Sequence, residues 1–330
     1  MPLALSRRLS PRRLVSFFYH AVADARLPHV ENLFGYKTAA MFEQDLLYLK
    51  TNFDLPAHDE IVKMQQRASL SSRPAAAISF DDGLRECFEV ARPLLQKHQS
   101  PCTFFIIADA VDNRLLMFRN KVSLFLDRWN GLDRERRSAI REQVSREFSQ
   151  SMADDATLLA WAERLTAAQT TEVDALCTAV GVDLAMVLRH AKPYMTGDQI
   201  RQLYREGFTI GAHTLTHPRL WELKDEEEVE REIVQSCAAV RDLTGQAMVP
   251  FAFPFNGLWM KRDRLEAIRK RCGFIDLFYD SNNLMRDRDF VVNRIWVDSP
   301  EGASATQSNL PRLIRRAYAL EPLRALRRKM

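Results

Sequence analysis

The fold is read from Ala75-Ala76-Ala77-Ile78-Ser79-Phe80-Asp81-Asp82-Gly83. An uncharged, mostly apolar run ends there in two adjacent carboxylates and a glycine. Such a run, closed by turn residues, predicts a short strand. Phe208-Thr209-Ile210-Gly211-Ala212 repeats the pattern and ends in His213-Thr214-Leu215-Thr216-His217. One Asp and two His supply three ligands for a divalent cation and leave coordination positions open for water and substrate. The other Asp would stand beside that water as a base. Together these residues predict metal-assisted hydrolysis.

Outward from this stretch, strands are expected at 15–20 and 101–107. Thr38 is an N-cap candidate for a helix with Phe42, Leu46, Leu47 and Leu49 as its apolar positions. Residues 84–98 read as one helix apart from Pro93. Short strands alternating with helices predict an α/β fold with parallel strands. The rhythm then stops. Between 113 and 195 the chain shows only charged helical segments, at 121–129, 134–148, 155–165 and 171–188. They predict a helical insertion, with Leu158, Leu159, Trp161 and Leu165 on faces that must be buried. Loops that follow barrel strands surround the active site. The insertion is therefore expected to cap the site or recognise substrate, and a surface decoration is the alternative reading.

Alternation resumes with Thr196 as N-cap of a helix over 197–205. A helix over 225–244 opens on Asp225, Glu226, Glu227 and Glu228, which suits the helix dipole, and ends at Gly245. A further helix covers 261–271, with Gly273 at its end. Later strands are expected at 251–254, 277–279 and 291–297.

Composition is that of a globular enzyme: 330 residues, 46% hydrophobic, 27% charged, formal charge +4. So small an excess does not argue for nucleic acid as a partner. Five widely spaced cysteines show neither zinc-finger nor redox spacing and read as reduced, mostly buried thiols. The first twenty residues lack a long apolar stretch before a cleavage site, and no run reaches the ~18–20 apolar residues of a membrane span. A cytoplasmic location is expected on that basis.

The motifs together resemble the polysaccharide deacetylases, the carbohydrate esterases with a NodB homology domain. Ser79-Phe80-Asp81-Asp82-Gly83 is similar to the family's first motif and His213-Thr214-Leu215-Thr216-His217-Pro218 to its second. Phe251-Ala252-Phe253-Pro254-Phe255-Asn256 is similar to the third in its aromatic-Pro-aromatic form. The resemblance covers about 15–110 and 195–300. It implies a distorted (β/α)7-type barrel with a helical insertion, in a single catalytic domain over 1–330. It implies Asp82, His213 and His217 as metal ligands and Asp81 as general base. The Phe255 main-chain N–H would help hold the oxyanion, with Asn256 beside it at the substrate.

Two departures stand out. The third motif here lacks the base-orienting Arg, and no histidine follows His217 to act as general acid. A circularly permuted branch, which includes poly-N-acetylglucosamine deacetylases, carries its last motifs ahead of Asp-Asp as a strand ending in Tyr-His. Phe18-Tyr19-His20 resembles that arrangement, which implies His20 as the acid. Arg294 would replace the missing Arg, a surface salt bridge being the other reading. His29, His58, His98 and His190 fall outside any motif and read as surface or helix residues.

The implied reaction is hydrolysis of the acetamide of an N-acetylated saccharide, with zinc expected and cobalt, nickel or manganese compatible. Deformylation or cleavage of another C–N amide is the second reading. A non-catalytic carbohydrate-binding scaffold with a vestigial site is the third. Basic residues gather at the ends: Arg7, Arg8, Arg12 and Arg13, then seven Arg or Lys from 311 to 330 against Glu321. Leu310, Leu313, Ile314, Ala317 and Leu320 share one face of the 309–330 tail. This pattern predicts peripheral contact with the inner face of a membrane, or packing on the chain's own domain. Oligomeric state is not legible.

Overall fold

The computed structural model describes residues 14–66, 73–298 and 307–327. Seven strands form a closed, all-parallel barrel: β1 (Leu14–Tyr19), β2 (Ala75–Phe80), β3 (Thr103–Ile106), β4 (Thr209–Ala212), β5 (Val249–Ala252), β6 (Ile275–Asp280) and β7 (Val291–Trp296). Each strand pairs with the next in sequence. β7 returns to β1, with Ser16 opposite Arg294 and Phe18 opposite Trp296. All six residues of β2 are buried, because parallel strands have helices on one face and the packed barrel interior on the other. The α/β barrel expected from the sequence is the fold.

The barrel is distorted for a local reason. β4 and β5 align through a single pair, Ala212 with Phe251, and the β5–β6 register shifts between Val249 and Phe251. Pro250 lies between them, and proline has no N–H to give the ladder.

Helix ends follow the sequence closely. Thr38 Oγ1 caps helix Ala39–Asn52 by accepting from the Met41 N–H. Thr196 and Gln199 form a reciprocal capping box on helix Gly197–Arg205. One expected apolar position differs: Leu47 is 51% exposed, so the buried stripe runs through Met41, Phe42, Leu46 and Leu49.

The helix expected over 84–98 is not continuous. At Cys87–Ala91 it widens to i→i+5 bonding, the Arg92 N–H donating to the Cys87 carbonyl, before helix Arg92–Lys97 begins. Pro93 supplies the reason, since it cannot donate in the ladder but is tolerated in a first turn. The helix expected over 171–188 is likewise two: Thr170–Ala179 ends before Gly181 at φ +79°, and Leu184 restarts it.

The insertion has a core of its own, in which Phe125, Trp129, Leu158, Trp161 and Leu176 are buried together. Both its ends are tied to the barrel mouth. Asn120 Nδ2 donates to the His29 carbonyl and Ser123 Oγ to the Pro28 carbonyl, each at 2.7 Å. On its return, Met195 N–H donates to Gly83 O at 3.0 Å and Arg85 N–H to Pro193 O at 2.9 Å. His29, read from the sequence as a surface residue, is therefore buried under the insertion.

The C-terminal helix Leu310–Arg327 packs on the domain through Leu310, Ile314, Ala317 and Tyr318, all in the main core. Lys37 Nζ donates to Asn309 Oδ1 at 2.6 Å and anchors its start. The apolar stripe that suggested membrane contact is thus spent on the chain's own core over these turns. Arg7, Arg8, Arg12, Arg13, Arg328 and Lys329 lie outside the described residues. No helix among the described residues is long and apolar enough to cross a membrane. All five cysteines are free, and Cys87, Cys102, Cys177 and Cys237 are buried.

Gly211 marks the tightest approach in the barrel. A Cβ there would lie 2.3 Å from the Phe105 ring and 2.9 Å from the Pro250 carbonyl oxygen. We expect Gly211→Ala to cost about 1–3 kcal/mol, as overpacking does. A lower urea midpoint at unchanged slope would check this. An unchanged midpoint would mean that β4 can move away freely.

Candidate active site

The turns that leave β2, β4, β5 and β6 carry an unusual backbone. Asp82, Thr214, His217, Phe255 and Asn283 all have φ between +57° and +69°. Left-handed conformations are uncommon for residues other than glycine. Held there by the packed barrel, they turn side chains back over the strand ends. Gly83, at φ +71°, completes the turn after Asp82, where a Cβ would lie 3.1 Å from the Ile106 side chain.

Asp82, His213 and His217 converge, their ligand atoms lying within 4.8 Å of one another. Asp82 Oδ1 is 3.5 Å from His213 Nε2 and 3.4 Å from His217 Nε2. His213 Nδ1 sits 2.9 Å from the Ala252 carbonyl. A carbonyl only accepts, so Nδ1 carries the proton and Nε2 keeps its lone pair for the site. Burial lowers the pKa of both histidines and keeps the rings neutral, the form that ligates. Burial also raises Asp82, whose Oδ1 has no hydrogen-bond partner among the described residues. A buried, unpartnered carboxylate oxygen facing the Nε2 atoms of two neutral imidazoles fits a divalent cation.

Beside this set, Asp81 is gripped by Arg294. Nη1 donates to Oδ1 at 2.6 Å and Nη2 to Oδ2 at 2.8 Å, while Nη1 also reaches Ser79 Oγ at 3.1 Å. Arg294 is fully buried, and its guanidinium lies 4.4 Å from the Phe18 ring centroid. The surface reading of Arg294 is thereby excluded. Burial pushes the Asp81 pKa up, but the Arg294 charge, with His213 and His20, outweighs it and holds the carboxyl below its usual range.

Across the cavity, β1 delivers His20. Its Nδ1 is 2.5 Å from Asp298 Oδ2, which also accepts from the His20 N–H and from Trp296 Nε1. Phe34 stacks on the imidazole at 4.4 Å between centroids. Burial opposes the imidazolium, but the Asp298 hydrogen bond and charge, with Asp82 and Asp81, override it and raise the pKa to about 9. His20 is therefore protonated at neutral pH.

These groups line one cavity of about 560 Å³, together with Met117 and Arg119 from the insertion. Exposed aromatic rings rim it: Trp296 on one side, Phe255 and Trp221 on the other. Asn256 stands apart from its expected place at the substrate. It does not line the cavity, and its carbonyl accepts from Trp259 Nε1 at 3.1 Å.

A sequence model of the family described as polysaccharide deacetylase matches residues 70–274. The chain belongs to the polysaccharide deacetylase family. Membership supports hydrolytic deacetylation of a carbohydrate as its activity. The fold is similar to that of Streptococcus pyogenes deacetylase PplD in complex with acetate, at 14% identity and TM-score 0.57, covering 92% of this chain and 99% of that one. It is also similar to IcaB from Ammonifex degensii, at 17% identity and TM-score 0.54 over 92% and 97%. A de-N-acetylase from Aggregatibacter actinomycetemcomitans gives 14% and 0.53 over 92% and 100%. No curated protein matches the sequence.

Two site residues escaped the sequence reading. Asp298 directly follows the last strand and had no motif to mark it. Glu232 lies in helix Glu226–Thr244, whose many carboxylates read as solvated charge. It accepts from the Leu215 and Thr216 N–H groups at 2.8 and 3.1 Å and fixes the loop between the two histidines.

Asp82→Ala is expected to abolish stoichiometric metal, measured by elemental analysis after reconstitution. Asp81→Asn should retain it, because Asp81 lies outside the three-residue cluster and is held by Arg294. Full metal content in Asp82→Ala would remove Asp82 from that set.

Proposed function

We propose that this protein is a metal-dependent N-deacetylase that hydrolyses the acetamide of an N-acetylated amino sugar and releases acetate. The carrying observation is that the buried Arg294–Asp81 pair, the Asp82, His213 and His217 cluster, and His20 on its Asp298 partner all face one cavity. A base, a cation site and an acid thus face one cavity. That arrangement also weighs against a vestigial scaffold, which has no use for a buried charge pair.

Asp82, His213 and His217 would hold the cation, zinc being the ion that one carboxylate and two imidazoles suit best. When bound, a divalent cation polarises the carbonyl and makes water more acidic. Asp81 accepts the proton of the attacking water. The Arg294 fork fixes which carboxylate lone pairs face the cavity and keeps the group ionised. The Phe255 N–H is assigned to the developing oxyanion. His20 gives its proton to the amine nitrogen as the C–N bond breaks, and Asp298 stabilises the imidazolium beforehand. The aromatic rims suit the apolar faces of sugar rings.

Acetate release from N-acetylated oligosaccharides by the zinc-loaded enzyme tests the reading. His20→Ala and Asp81→Asn should each lose roughly a hundredfold to ten-thousandfold in kcat, the usual span for a general acid or base. Formate release from N-formyl sugars without acetate release would sink it in favour of a deformylase.

The acid form of His20 exists below its pKa, so activity should fall as pH rises through the alkaline range near 9. Asp298→Asn removes the influence that raises that pKa, and burial then lowers it. Its alkaline limb should move down by about one pH unit or more. An unmoved limb would show that another group is the acid.

A further inference from the structure

Among the described residues, Arg119 is the one cavity-lining cation that the chemistry above leaves unused. It projects from the first turn of helix Phe118–Asn130, at the start of the insertion, and that turn contains no acidic residue. It is half-buried, lines the cavity, and makes no hydrogen bond or ion pair among the described residues. The other arginine that lines the cavity is engaged, and so is Arg219 beside the Phe255 ring. Arg294 holds Asp81, and Arg219 donates to Glu222 at 3.0 Å while its guanidinium lies 5.6 Å from the Phe255 ring centroid.

Arg119 also stands close enough to Arg219 and His217 to be felt by both. Burial lowers the Arg119 pKa first, the Arg219 charge lowers it further, and Glu163 only partly offsets them. Arg119 in turn helps keep His217 neutral, after burial, His213 and His20. Arg219 is already paired with Glu222, so Arg119 is left as the cation that faces the cavity without a partner among the described residues. The acids of the cavity are committed elsewhere: Asp81 to Arg294 and Asp82 to the ligand cluster. A half-buried, unpaired guanidinium is costly unless an anion completes it. Its planar fork suits two oxygens of one phosphate or carboxylate.

Resting on the deacetylase reading, we infer that the substrate is an anionic saccharide, whose phosphate or carboxylate is bound by Arg119 while its acetamide is cleaved. The insertion is then the specificity element of the barrel. It brings a cation to the site that the strands do not supply.

The test compares acetate release by zinc-loaded enzyme from three probes. These are neutral N-acetylglucosamine trisaccharide, N-acetylglucosamine 1-phosphate, and a tetrasaccharide alternating N-acetylglucosamine with glucuronate. An anionic probe should be favoured in kcat/KM, and which of the two is favoured distinguishes phosphate from carboxylate. The preference should weaken as salt rises. Arg119→Gln should cut the anionic-to-neutral ratio about tenfold to a hundredfold, the range for a lost charge-assisted contact. Arg119→Lys should recover part of it, and zinc content of each variant reports that the site is formed. A ratio unchanged in Arg119→Gln, or a neutral probe favoured by the parent enzyme, overturns the inference and leaves the deacetylase reading standing. No acetate from any probe overturns that reading and this one with it.

Discussion

The bidentate contact between Arg294 and Asp81 organises this molecule. Both charges are withdrawn from water inside the barrel mouth. Removing one partner from such a pair typically costs about 3–5 kcal/mol, because the other is left buried and unpaired. The pair therefore depends on barrel closure. Arg294 lies on β7, and only the return of β7 to β1 brings it over Asp81. Closure also sets Phe18, Phe105 and Tyr279 around the guanidinium. In return, the Asp81 carboxylate is fixed in orientation before any substrate arrives, which its proposed role as base requires.

The same closure builds the proposed acid. His20 ends β1 and Asp298 follows β7, so the strand pair that places Arg294 also places the His20–Asp298 contact. The proposed acid and base thus follow the neighbouring strands β1 and β2, while their partners Asp298 and Arg294 come from the far end of the sequence. The ligand cluster uses a different device. Its histidine loop runs through left-handed backbone at Thr214 and His217 and is pinned by Glu232 from a neighbouring helix. Strain at the mouth is balanced by hydrogen bonds to a buried carboxylate and by the packed barrel beneath.

Legibility differed between levels for physical reasons. Strands were legible because parallel barrel strands, covered on both faces, are continuous apolar runs. Helix starts were legible where a side chain caps them, as at Thr38 and Thr196. The breaks at Pro93 and Gly181 were harder to read. Each residue permits several local structures, and packing selected among them. Leu47 fitted the helical stripe but faces solvent, since periodicity locates a face only to within a residue or so.

At the site, the sequence by itself determined the donors: two adjacent carboxylates, two histidines four apart, and their positions at strand ends. Those are local patterns, set by the chemistry of neighbouring residues. Which partners these groups acquire was decided only by tertiary structure. Arg294 read as well as a surface residue as a site residue until closure buried it against Asp81. Asp298 and Glu232 bore no mark at all, because a lone carboxylate looks the same whether it meets water or a buried donor. Arg119 gained its place in the cavity only when the insertion folded over the mouth. The C-terminal stripe was compatible with a lipid surface or a protein core, and only the folded structure places Leu310, Ile314, Ala317 and Tyr318 in the core. Pairing across hundreds of residues is a property of the closed barrel, and no local pattern encodes it.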